Sequence, residues 1–464
     1  MIEAKLSEFA AAIGAEHRGA DAGIRGIERD SRTAQVGRLF VAIAGARFDA
    51  HEFAEDAVQN GAAALLVERW LDLDVPQLKV RDSVRALGLL ARWWQRRWRQ
   101  LEVASGAPRQ LVAVTGSNGK TTTKQLLAAV LVERGPVLAT EGNLNNHIGV
   151  PVTLLALGSE HRTAVIEMGA NHAGEIAYLC GLAEPDIGIV TNVGPAHLEG
   201  FGTIDGVARA KGEMFAGLRP NGTAIVNSDA GYDEIWRNQI GLNPALRFGL
   251  GAAADVTASG IEPAADGVAF ELDQLGQGAR VSLPLPGQHN VMNALAVAAV
   301  AAVLDIPATA VARRLAEVKP APGRLQMKRG PHGSRVIDDS YNANPESLRA
   351  GVQHLLSLGQ PAWLVLGEMS ELGADAAREH RQIGVWARRA GVARIFTYGG
   401  LASRAAAAFE QNGQHFRSHD ELATALITAL AAETRPVTLL VKGSRTARMD
   451  RIVSALTESN PKAE

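Results

Sequence analysis

One short stretch limits the folds that are open to this chain. Residues 110–124 read QLVAVTGSNGKTTTK, an apolar run followed by a glycine-rich loop and then by a helical pattern. A strand, a tight turn and a helix bring backbone N–H groups and the positive helix end to one point, where an anionic phosphate can bind. The usual phosphate loop has four residues between its first glycine and its Gly-Lys-Thr end. Only Ser117 and Asn118 separate Gly116 from Gly119, so the sequence predicts a phosphate loop of a shortened type.

The lysine and threonines that close this loop carry the chemistry of the predicted site. We expect Lys120 to reach the terminal phosphates of a nucleotide and the Thr121 hydroxyl to bind Mg²⁺. A glycine-rich turn with a chance Gly-Lys-Thr is the alternative, but the strand, loop and helix context favours the phosphate site. The predicted nucleotide contacts in the loop are Gly116, Ser117, Asn118, Gly119, Lys120, Thr121 and Thr122.

Apolar runs alternate with helical patterns on both sides of this loop. The runs TAVIEMG, DIGIVTNVG and GTAIVNSD are continuously apolar, as expected for parallel strands that are covered on both faces. Further along, VIDD, AWLVLG, ARIFTY and VTLLVKG repeat the scheme. Such alternation predicts doubly wound α/β domains. The later part lacks a Gly-x-Gly-x-x-Gly fingerprint after its first strand, so no dinucleotide site is assigned there.

The length of the chain and two linker-like stretches predict three domains. At about 150 residues per domain, 464 residues correspond to roughly three domains. Proline- and glycine-containing stretches at 104–110 and 318–324 are typical of linkers. We therefore predict an α/β protein of three domains: a small N-terminal α/β domain, a central P-loop-type parallel-sheet domain and a C-terminal Rossmann-like domain. Their predicted bounds are 1–108, 109–322 and 323–464.

Charge and cysteine content exclude several classes of partner. The formal net charge is −2, which provides no general attraction to nucleic acid or acidic membranes. Cys180 is the single cysteine, so an intrachain disulfide is impossible and a reducing cytoplasm is favoured. The N-terminus lacks the apolar core of a secretory signal. The apolar run at 294–304 is too short to span a bilayer and predicts a buried helix instead. We expect neither a nucleic-acid partner nor stable membrane insertion.

The stretch RWWQRRWRQ at 92–100 admits a sharper interpretation. Interleaved tryptophan and arginine could stack on nucleic acid or lie on a membrane surface. However, Trp94 and Trp98 are one helical turn apart. We therefore favour a packed helix face with arginines extending past it.

Three further residues could contribute to the chemistry of the phosphate site. Glu167 and His197 follow apolar strands, and ligands bind beyond the carboxyl ends of such strands. A carboxylate and an imidazole there could hold a cation, although a single Glu or His in a loop is usually a solvated or structural residue. Lys211 lies in a helical pattern, where spacing alone favours an ordinary solvated lysine.

Nucleotide contacts are also predicted later in the chain. Asn290 and Asn293 open the alanine-rich helix, where Asn290 is a plausible N-cap and base binding is the competing role. Asp338 and Asp339 end a predicted strand, where a carboxylate can accept ribose hydroxyls. The Asn-Ala-Asn-Pro run that follows predicts a turn before a helix that begins near Pro345.

Taken in order, these motifs resemble those of the Mur ligase family. TGSNGKTTTK, GNLNNHIGVPVTLL, EMGANHAGEI, TNVGPAHLEGFG, KGEMF, GQHNVMNALA, PGRLQ, DDSYNANPESL and VLGEMSELG follow one another in the family order. DSR and LFVAIAGARFDAHEFAEDAVQNGAAALLV near the N-terminus look like the family's UDP-substrate-binding part. The resemblance covers nearly the whole length, and an ordered set of this kind is far more specific than one loop.

The resemblance implies a reaction and a set of partners. Members of the family are ATP-dependent, ADP-forming enzymes that make amide bonds in peptidoglycan precursors. The implied substrates are UDP-N-acetylmuramoyl-tripeptide and D-alanyl-D-alanine, and the implied cofactors are ATP and Mg²⁺. ATP would phosphorylate the terminal peptide carboxylate, and the amine would then attack the acyl phosphate. A cytoplasmic monomer whose third domain closes over the nucleotide is expected.

The resemblance also implies roles for individual residues. Lys211 matches a lysine that CO₂ converts to a carbamate in this family, which reverses its interpretation as a solvated side chain. The implied catalytic residues are Lys120, Glu167, His197 and Lys211. The implied metal ligands are Thr121, Glu167, His197 and the carbamate of Lys211. Outside the loop, the implied nucleotide contacts are Asn290, Asn293, Arg324 and Asp339. The implied substrate contacts are Ser31, Arg32, Asp49, His51, Asn143, Asn145, Asn146, Asn342 and Asn344.

Other interpretations compete with this one. The ligase that adds the third peptide residue is the closest alternative, but its Asp-Asn-Pro-Arg motif is absent and YNANP stands in a different kind of turn. The N-terminal segment argues against a folylpolyglutamate synthetase. Retention of the phosphate and metal residues argues against a non-catalytic nucleotide-binding scaffold. His147, Glu368 and Ser370 depart from the family pattern and put local substrate contacts in doubt.

Overall fold

The computed structural model describes residues 2–33, 35–45, 48–101, 108–195, 198–264, 266–359 and 361–458. Within these residues the chain forms three sheets of five, nine and six strands and one two-stranded ribbon. The three larger sheets take their strands from residues 16–79, 110–283 and 326–442. Helices accompany each sheet, so the predicted α/β fold class is confirmed.

The first sheet is a small, mostly parallel one. Its strand order is β2-β7-β6-β5-β4, and only β2 runs antiparallel to its neighbour. Residues 39–67 form a strand, a helix and a second strand. The elements are β1 (Ala4–Lys5), α1 (Leu6–Ile13), β2 (Glu16–Arg18), β3 (Gly23–Ile24), β4 (Ile27–Glu28), β5 (Leu39–Val41), a 3₁₀ turn (Ala50–Phe53), α2 (Ala54–Gln59), β6 (Ala64–Val67), β7 (Gln77–Lys79) and α3 (Ser83–Gln100).

The central sheet places the phosphate loop at a change of strand order. Its order is β16-β15-β14-β13-β12-β11-β8-β10-β9. The first strand of the sheet in the chain, β8, therefore lies inside it, with β10 on one side and β11 on the other. Ligands bind in α/β sheets where the order reverses in this way. The elements are β8 (Gln110–Thr115), α4 (Lys120–Leu131), β9 (Val137–Ala139), α5 (Gly149–Leu155), β10 (Thr163–Glu167), α6 (Glu175–Ala183), β11 (Ile187–Val190), α7 (Leu198–Phe201), α8 (Ile204–Ala216), β12 (Thr223–Asn227), α9 (Asp233–Ile240), β13 (Ala245–Phe248), β14 (Val256–Pro263), β15 (Val268–Gln274), β16 (Gln277–Leu283), α10 (Gln288–Val303) and α11 (Ala308–Ala316).

One edge of the central sheet was not predicted from the sequence. Strands β14, β15 and β16 pair antiparallel and extend the parallel part of the sheet. Along β15 buried and more exposed residues alternate, because one face packs inward and the other faces solvent. Such strands lack the continuous apolar run by which the parallel strands were found.

The third sheet is parallel except for its edge strand β17. Its order is β17-β18-β22-β19-β20-β21, and the four strands predicted from apolar runs are all present. The elements are β17 (Gln326–Arg329), β18 (Arg335–Asp339), α12 (Pro345–Ser357), β19 (Ala362–Gly367), α13 (Ala376–Ala390), β20 (Arg394–Tyr398), α14 (Ser403–Phe409), β21 (Gly413–Phe416), α15 (His419–Ala432), β22 (Thr438–Lys442) and α16 (Asp450–Glu458).

The alanine-rich helix α10 lies in the core, as predicted. Between residues 290 and 301, every residue except Met292 is buried, and the helix packs against α4 and the strands β12 to β15. Among the described parts of the chain, no helix combines the length and the apolar composition needed to cross a bilayer.

The tryptophan-rich helix α3 joins the first segment to the central one. Trp94 and Trp98 are buried in a core that also contains central residues. Their indole N–H groups donate to the carbonyls of Leu157 and Gly158, at 2.9 and 3.1 Å. Both rings are therefore packed and hydrogen-bonded, which confirms the interpretation as a packed helix face.

Replacing Trp98 with alanine should destabilise the protein strongly. The change would leave a large cavity and an unpaired carbonyl, with an expected cost of about 3–5 kcal/mol. That cost corresponds to a fall in the thermal midpoint on the order of 10 °C, measured by calorimetry or circular dichroism. Leu242→Ala is the control, because Leu242 is fully exposed. Equal midpoints for the two variants would contradict the packing role of Trp98.

Candidate active site

A cleft of about 720 Å³ lies between the phosphate loop and the third sheet. The loops after β8, β9 and β10 line one wall, and those after β18, β19 and β22 line the other. These are carboxyl ends of parallel strands, where α/β sheets bind ligands. The cleft is therefore the candidate active site.

The backbone of the phosphate loop requires glycine at two positions. Gly116 and Gly119 have φ angles of 146° and 79°. A Cβ atom at Gly116 would lie 2.0 Å from Thr191 Oγ1, and one at Gly119 would lie 2.4 Å from Asn293 Oδ1. The loop is thus compressed against β11 and α10, and no side chain fits at either glycine.

The donors that the loop can offer to an anion are those nearest the helix. The N–H groups of Ser117 and Asn118 already donate to the carbonyl and the side chain of Asn192, at 3.1 and 2.8 Å. Helix α4 begins at Lys120, and the first N–H groups of a helix have no partner within it. The backbone N–H groups that can bind a phosphate are therefore those of Gly119 and of the residues that follow it.

Lys120 folds back over the loop that precedes it. Its Nζ donates to the carbonyls of Gly116 and Ser117, at 2.8 and 3.2 Å. Burial lowers the pKa of its amine. The charge of Glu167 opposes that shift, and the charge of Arg324 adds to it. If a ligand phosphate bound here, the Lys120 amine could exchange its neutral carbonyl acceptors for a negatively charged phosphate oxygen.

Glu167 is a buried acid at the end of β10, only 2% exposed. Its Oε1 accepts from Asn145 Nδ2 at 2.9 Å and from Thr121 Oγ1 at 3.4 Å. Its Oε2 lies 3.3 Å from Lys124 Nζ and has no hydrogen-bond partner among the described residues. One carboxylate oxygen is thus held in place while the other has capacity for a further ligand.

The second predicted metal ligand, His197, lies outside the described residues. Within the described residues, no group of three or more His, Cys, Asp and Glu side chains could hold a metal. Mg²⁺ usually keeps several waters and takes one or two carboxylates together with ligand phosphates. The carboxylate of Glu167 and the hydroxyl of Thr121 suit that mode of binding.

Lys211 is not a solvated helix lysine. It lies on α8 with 1% of its surface exposed, and its Nζ donates to Ala170 O at 3.3 Å. The ring of Phe201 is 5.3 Å from the same nitrogen. Burial, with the charge of Lys120 as the next cause, lowers the pKa of Lys211 to about 7. A substantial neutral fraction at neutral pH makes this amine nucleophilic.

The wall formed by the third segment carries two arginines, Arg324 and Arg445, and one acid, Glu371. The guanidinium carbons of Arg324 and Arg445 lie 4.4 and 5.6 Å from the centre of the Tyr341 ring. All three residues line the cleft, and the buried Nε of Arg324 has no hydrogen-bond partner among the described residues. Two arginines therefore face the phosphate loop across the space that a ligand would fill.

Comparison with known proteins identifies the family. Residues 23–92 match the model "Mur ligase family, catalytic domain", 114–301 match "Mur ligase middle domain", and 323–445 match "Mur ligase, glutamate ligase domain". The chain is 44% identical over 460 residues to the UDP-N-acetylmuramoyl-tripeptide–D-alanyl-D-alanine ligase of Escherichia coli K12, with 99% of both chains covered. The chain belongs to the Mur ligase family.

Solved structures of similar proteins share the fold of this Mur ligase. MurF from Acinetobacter baumannii is 34% identical, with a TM-score of 0.91 over 99% of this chain and 100% of the other. MurF ligase from Thermotoga maritima in complex with ADP is 27% identical, with a TM-score of 0.82 over 94% of this chain and 97% of the other.

The structure brings many of the predicted residues of this Mur ligase together. Those that line the cleft are Ser117, Asn118, Gly119, Lys120, Thr121, Thr122, Asn143, Asn145, Asn146, Glu167, Arg324, Asn342 and Asn344. His147 and Ser370, which depart from the family pattern, also line it. Glu368 instead accepts a hydrogen bond from the N–H of Leu401 at 3.0 Å, a structural contact.

The predicted adenine contacts lie behind the phosphate loop. Asn293 Oδ1 accepts from Thr123 Oγ1 at 3.3 Å, and Asn293 Nδ2 donates to Asn290 Oδ1 at 3.1 Å. Both asparagines are buried, and the residue that caps α10 is Gly287. The N-cap role considered for Asn290 is therefore wrong. In this structure the pair supports the loop.

Asp339 is paired within the protein. Its Oδ2 accepts from Lys442 Nζ at 2.5 Å, and both side chains are buried. The neighbouring Asp338 pairs with Lys328 at 2.8 Å. Since Asp339 does not line the cleft, a bond to ribose would require the Asp339–Lys442 ion pair to rearrange.

Substrate contacts predicted in the first segment lie away from the cleft. Asp49 accepts from His51 Nδ1 at 2.6 Å, and His51 Nε2 accepts from the N–H of Glu68 at 2.8 Å. The hydrogen bond from the backbone N–H of His51 is the main cause that lowers the pKa of Asp49 to about 2. Since the ring is fully buried and both nitrogens are engaged, the predicted substrate contact by the His51 side chain is corrected to a structural role.

The two predicted substrate contacts in the DSR motif, Ser31 and Arg32, differ in exposure. The side chain of Arg32 is largely exposed and pairs with Asp30 at 2.7 Å, so it can reach a ligand. Ser31 is nearly buried, and its carbonyl accepts from Asn60 Nδ2 at 2.8 Å.

Sequence reasoning missed several residues of the site. Lys124 follows Lys120 by four residues and so shares its helix face, which was an available signal. Arg445 follows the strand VTLLVKG, whose carboxyl end was equally visible. The role of Tyr341 was not visible from the sequence, because its ring contacts Arg324 and Arg445, which lie at distant positions within the third segment.

Replacing Gly119 with alanine should weaken phosphate binding strongly. The new Cβ would collide with Asn293 and would strain a backbone with positive φ. We expect ADP to bind at least tenfold more weakly in titration calorimetry. Gly276→Ala is the matched control: its φ is 82°, but no atom of the described part of the chain lies within 4 Å of the added Cβ. Unchanged ADP affinity in the Gly119 variant would show that the loop does not hold the phosphates.

Proposed function

We propose that this Mur ligase joins D-alanyl-D-alanine to UDP-N-acetylmuramoyl-tripeptide, with ATP converted to ADP and phosphate. The observation that carries the proposal is the 44% identity to the E. coli ligase of that name across 99% of both chains. The ADP complex of the T. maritima relative supports an adenine nucleotide as co-substrate. A reaction that consumes ATP and a UDP-linked precursor belongs in the cytoplasm.

The reaction proceeds through an acyl phosphate. A carboxylate oxygen of the tripeptide attacks the γ-phosphorus of ATP, and the bond to the β-phosphate oxygen breaks to release ADP. The amine of D-alanyl-D-alanine then adds to the acyl carbon and loses a proton. The tetrahedral intermediate expels phosphate and leaves the amide.

The protein contributes charge and alignment to these steps. Lys120 and the first-turn N–H groups of α4 would neutralise phosphate oxygens as charge shifts toward them. Arg324 and Arg445 add positive charge from the opposite wall. Alignment of the reactants alone can correspond to effective molarities of about 10⁵–10⁸ M.

The residues that would hold Mg²⁺ are Glu167 and Thr121, with His197 retained as a predicted ligand. What supports them is the buried Glu167 Oε2, which lacks a hydrogen-bond partner among the residues that the structure describes, while Oε1 of the same carboxylate already contacts the Thr121 hydroxyl. When bound, the ion would supply charge to the phosphate oxygens of the nucleotide.

A carbamate on Lys211 is part of the proposal. Only an uncharged amine adds CO₂, and burial lowers the pKa of Lys211 to about 7. The amine nitrogen bonds to the CO₂ carbon and loses a proton, which yields an anion suited to a hard cation. Because the neutral fraction rises as pH rises through 7, carbamate formation should increase from pH 6 to pH 8 at constant dissolved CO₂.

The proposal divides the work among the three predicted segments. Residues 1–108 would bind the UDP part of the substrate, with the exposed Arg32 as a contact. Residues 109–322 would hold ATP, and residues 323–464 would close over it. The whole protein would act as a monomer. Asp339 is retained as a nucleotide contact of the closed state, as are Asn290 and Asn293 behind the loop.

The reaction can be tested by ADP release. UDP-N-acetylmuramoyl-tripeptide with D-alanyl-D-alanine should support turnover, whereas single amino acids should not, because the second alanine supplies part of the binding energy. UDP-N-acetylmuramoyl-dipeptide with a free diamino acid tests the preceding ligase. Turnover in that reaction alone would overturn the assignment, as would release of ADP without an amide product.

The carbamate can be tested with Lys211→Ala. Loss of the amine should lower turnover at least a hundredfold, and added bicarbonate should not restore it. With ¹³C-bicarbonate, the wild type should show a carbamate resonance that is absent from the variant and stronger at pH 8 than at pH 6. Lys5→Ala, an exposed lysine, is the control. Full activity of the Lys211 variant would eliminate the carbamate.

A further inference from the structure

The side chain of Asn118 joins the phosphate loop to the third segment. Its Oδ1 accepts from Asn344 Nδ2 at 2.6 Å, and its Nδ2 donates to Glu346 Oε2 at 2.8 Å. Both partners lie more than 220 residues further along the chain, at the beginning of α12. The two ends of a single amide are therefore bound to the neighbouring segment.

The backbone of Asn118 is fixed to the central sheet. Its N–H donates to Asn192 Oδ1 at 2.8 Å, and its carbonyl accepts from Thr191 Oγ1 at 2.6 Å. With main chain and side chain both engaged inside the protein, Asn118 has little remaining capacity to bind a phosphate. Its position suits a connection between segments better than a ligand contact.

The partner residues are held rigidly by the start of α12. Asn344 caps this helix, since its Oδ1 accepts from the N–H of Ser347 at 2.8 Å. That bond orients the amide so that Nδ2 faces Asn118. Pro345 follows at the first helical position, where its fixed φ suits the helix. Glu346 then lies in the first turn, where the helix dipole favours a carboxylate.

A second contact brings α12 against the central segment. A Cβ atom at Gly194 would lie 2.3 Å from Glu346 Oε2. The Glu346 carboxylate therefore occupies the space that the side chain of any other residue at position 194 would need. The N–H of Gly194 in turn donates to Ser117 Oγ at 2.9 Å. Glu346 thus approaches the phosphate loop and the loop after β11 at the same time.

We propose that Asn118, Asn344 and Glu346 are positioning residues that dock the third segment onto the phosphate loop. Docking carries Arg324, which lies at the start of that segment, and Arg445 to the face of the cleft opposite Lys120. Loss of this docking contact should leave nucleotide binding by the loop intact and slow the chemical steps. The turnover readout rests on the proposed ligase function, whereas the docking contact itself does not.

The test uses variants that separate hydrogen bonding from charge and from helix capping. Glu346→Ala removes the acceptor, and Glu346→Gln retains one without charge. Asn344→Ser keeps a good N-cap but loses the donor to Asn118. Glu421→Ala is the matched control, because it removes a first-turn glutamate from α15, another helix of the third segment. The thermal midpoint of each variant checks that it is folded.

Three measurements are made on the full chain. ADP affinity comes from calorimetry, compaction in ADP comes from the radius of gyration in small-angle X-ray scattering, and kcat and KM come from ADP release. We expect Glu346→Ala and Asn344→Ser to expand in ADP and to lose about tenfold or more in kcat. ADP affinity should fall by less than threefold, because contacts from the third segment weaken while the loop still holds the phosphates. Glu346→Gln should stay within threefold of the wild type, and Glu421→Ala should match it.

Several outcomes would overturn the docking role. One is that ADP affinity falls as far as kcat does, since Asn118 and its partners would then support phosphate binding itself. Another is that Glu346→Gln fails as badly as Glu346→Ala, since charge rather than hydrogen bonding would then matter. Unchanged compaction and kcat in both Glu346→Ala and Asn344→Ser would also exclude it. A wild type that binds ADP and compacts without ligating D-alanyl-D-alanine would refute the proposed function alone.

Discussion

The close packing of Gly116 and Gly119 against Thr191 and Asn293 is the constraint on which the rest of the site depends. Both glycines have positive φ, and neither position has room for a Cβ atom. Because the loop is packed so closely, only four residues separate the end of β8 from the start of α4. The positive end of α4 therefore faces the cleft. The buried carboxylate of Glu167, the two arginines of the third segment and the contacts of α12 with the phosphate loop are all arranged around this point.

Charge balance explains why the site favours an anionic ligand. Lys120, Lys124 and Lys211 lie near or below the cleft floor, where Glu167 is the buried acid that faces Lys124. Burial disfavours the charged form of an amine and lowers its pKa, as at Lys120 and Lys211, where the charges of nearby acids oppose the shift only in part. A nucleotide would supply the missing negative charge, and a lysine carbamate would convert one of the amines into an acid.

How far the sequence predicts the molecule depends on how local each signal is. Eight parallel strands of the central and third sheets were found because they are continuously apolar, whereas β9, β13 and β21, which are more exposed, were missed. The Asn-Ala-Asn-Pro turn was found because proline marks the first turn of α12. Strands β14 to β16 were missed because half of their residues face solvent. His51 was misinterpreted because its partners, Asp49 and the N–H of Glu68, saturate the ring only in the folded first segment.

The sequence by itself determined the α/β class, the family and the shortened phosphate loop, since glycine, lysine and apolar runs act through neighbouring residues. Only the tertiary structure decided that Asn118 binds Asn344 and Glu346 and that Asp339 is paired with Lys442. These partners are separated by 100 residues or more, and their hydrogen bonds form only when whole segments come together. Local pattern carries no information about such contacts, because burial and the remaining hydrogen-bonding capacity of each group are set by packing.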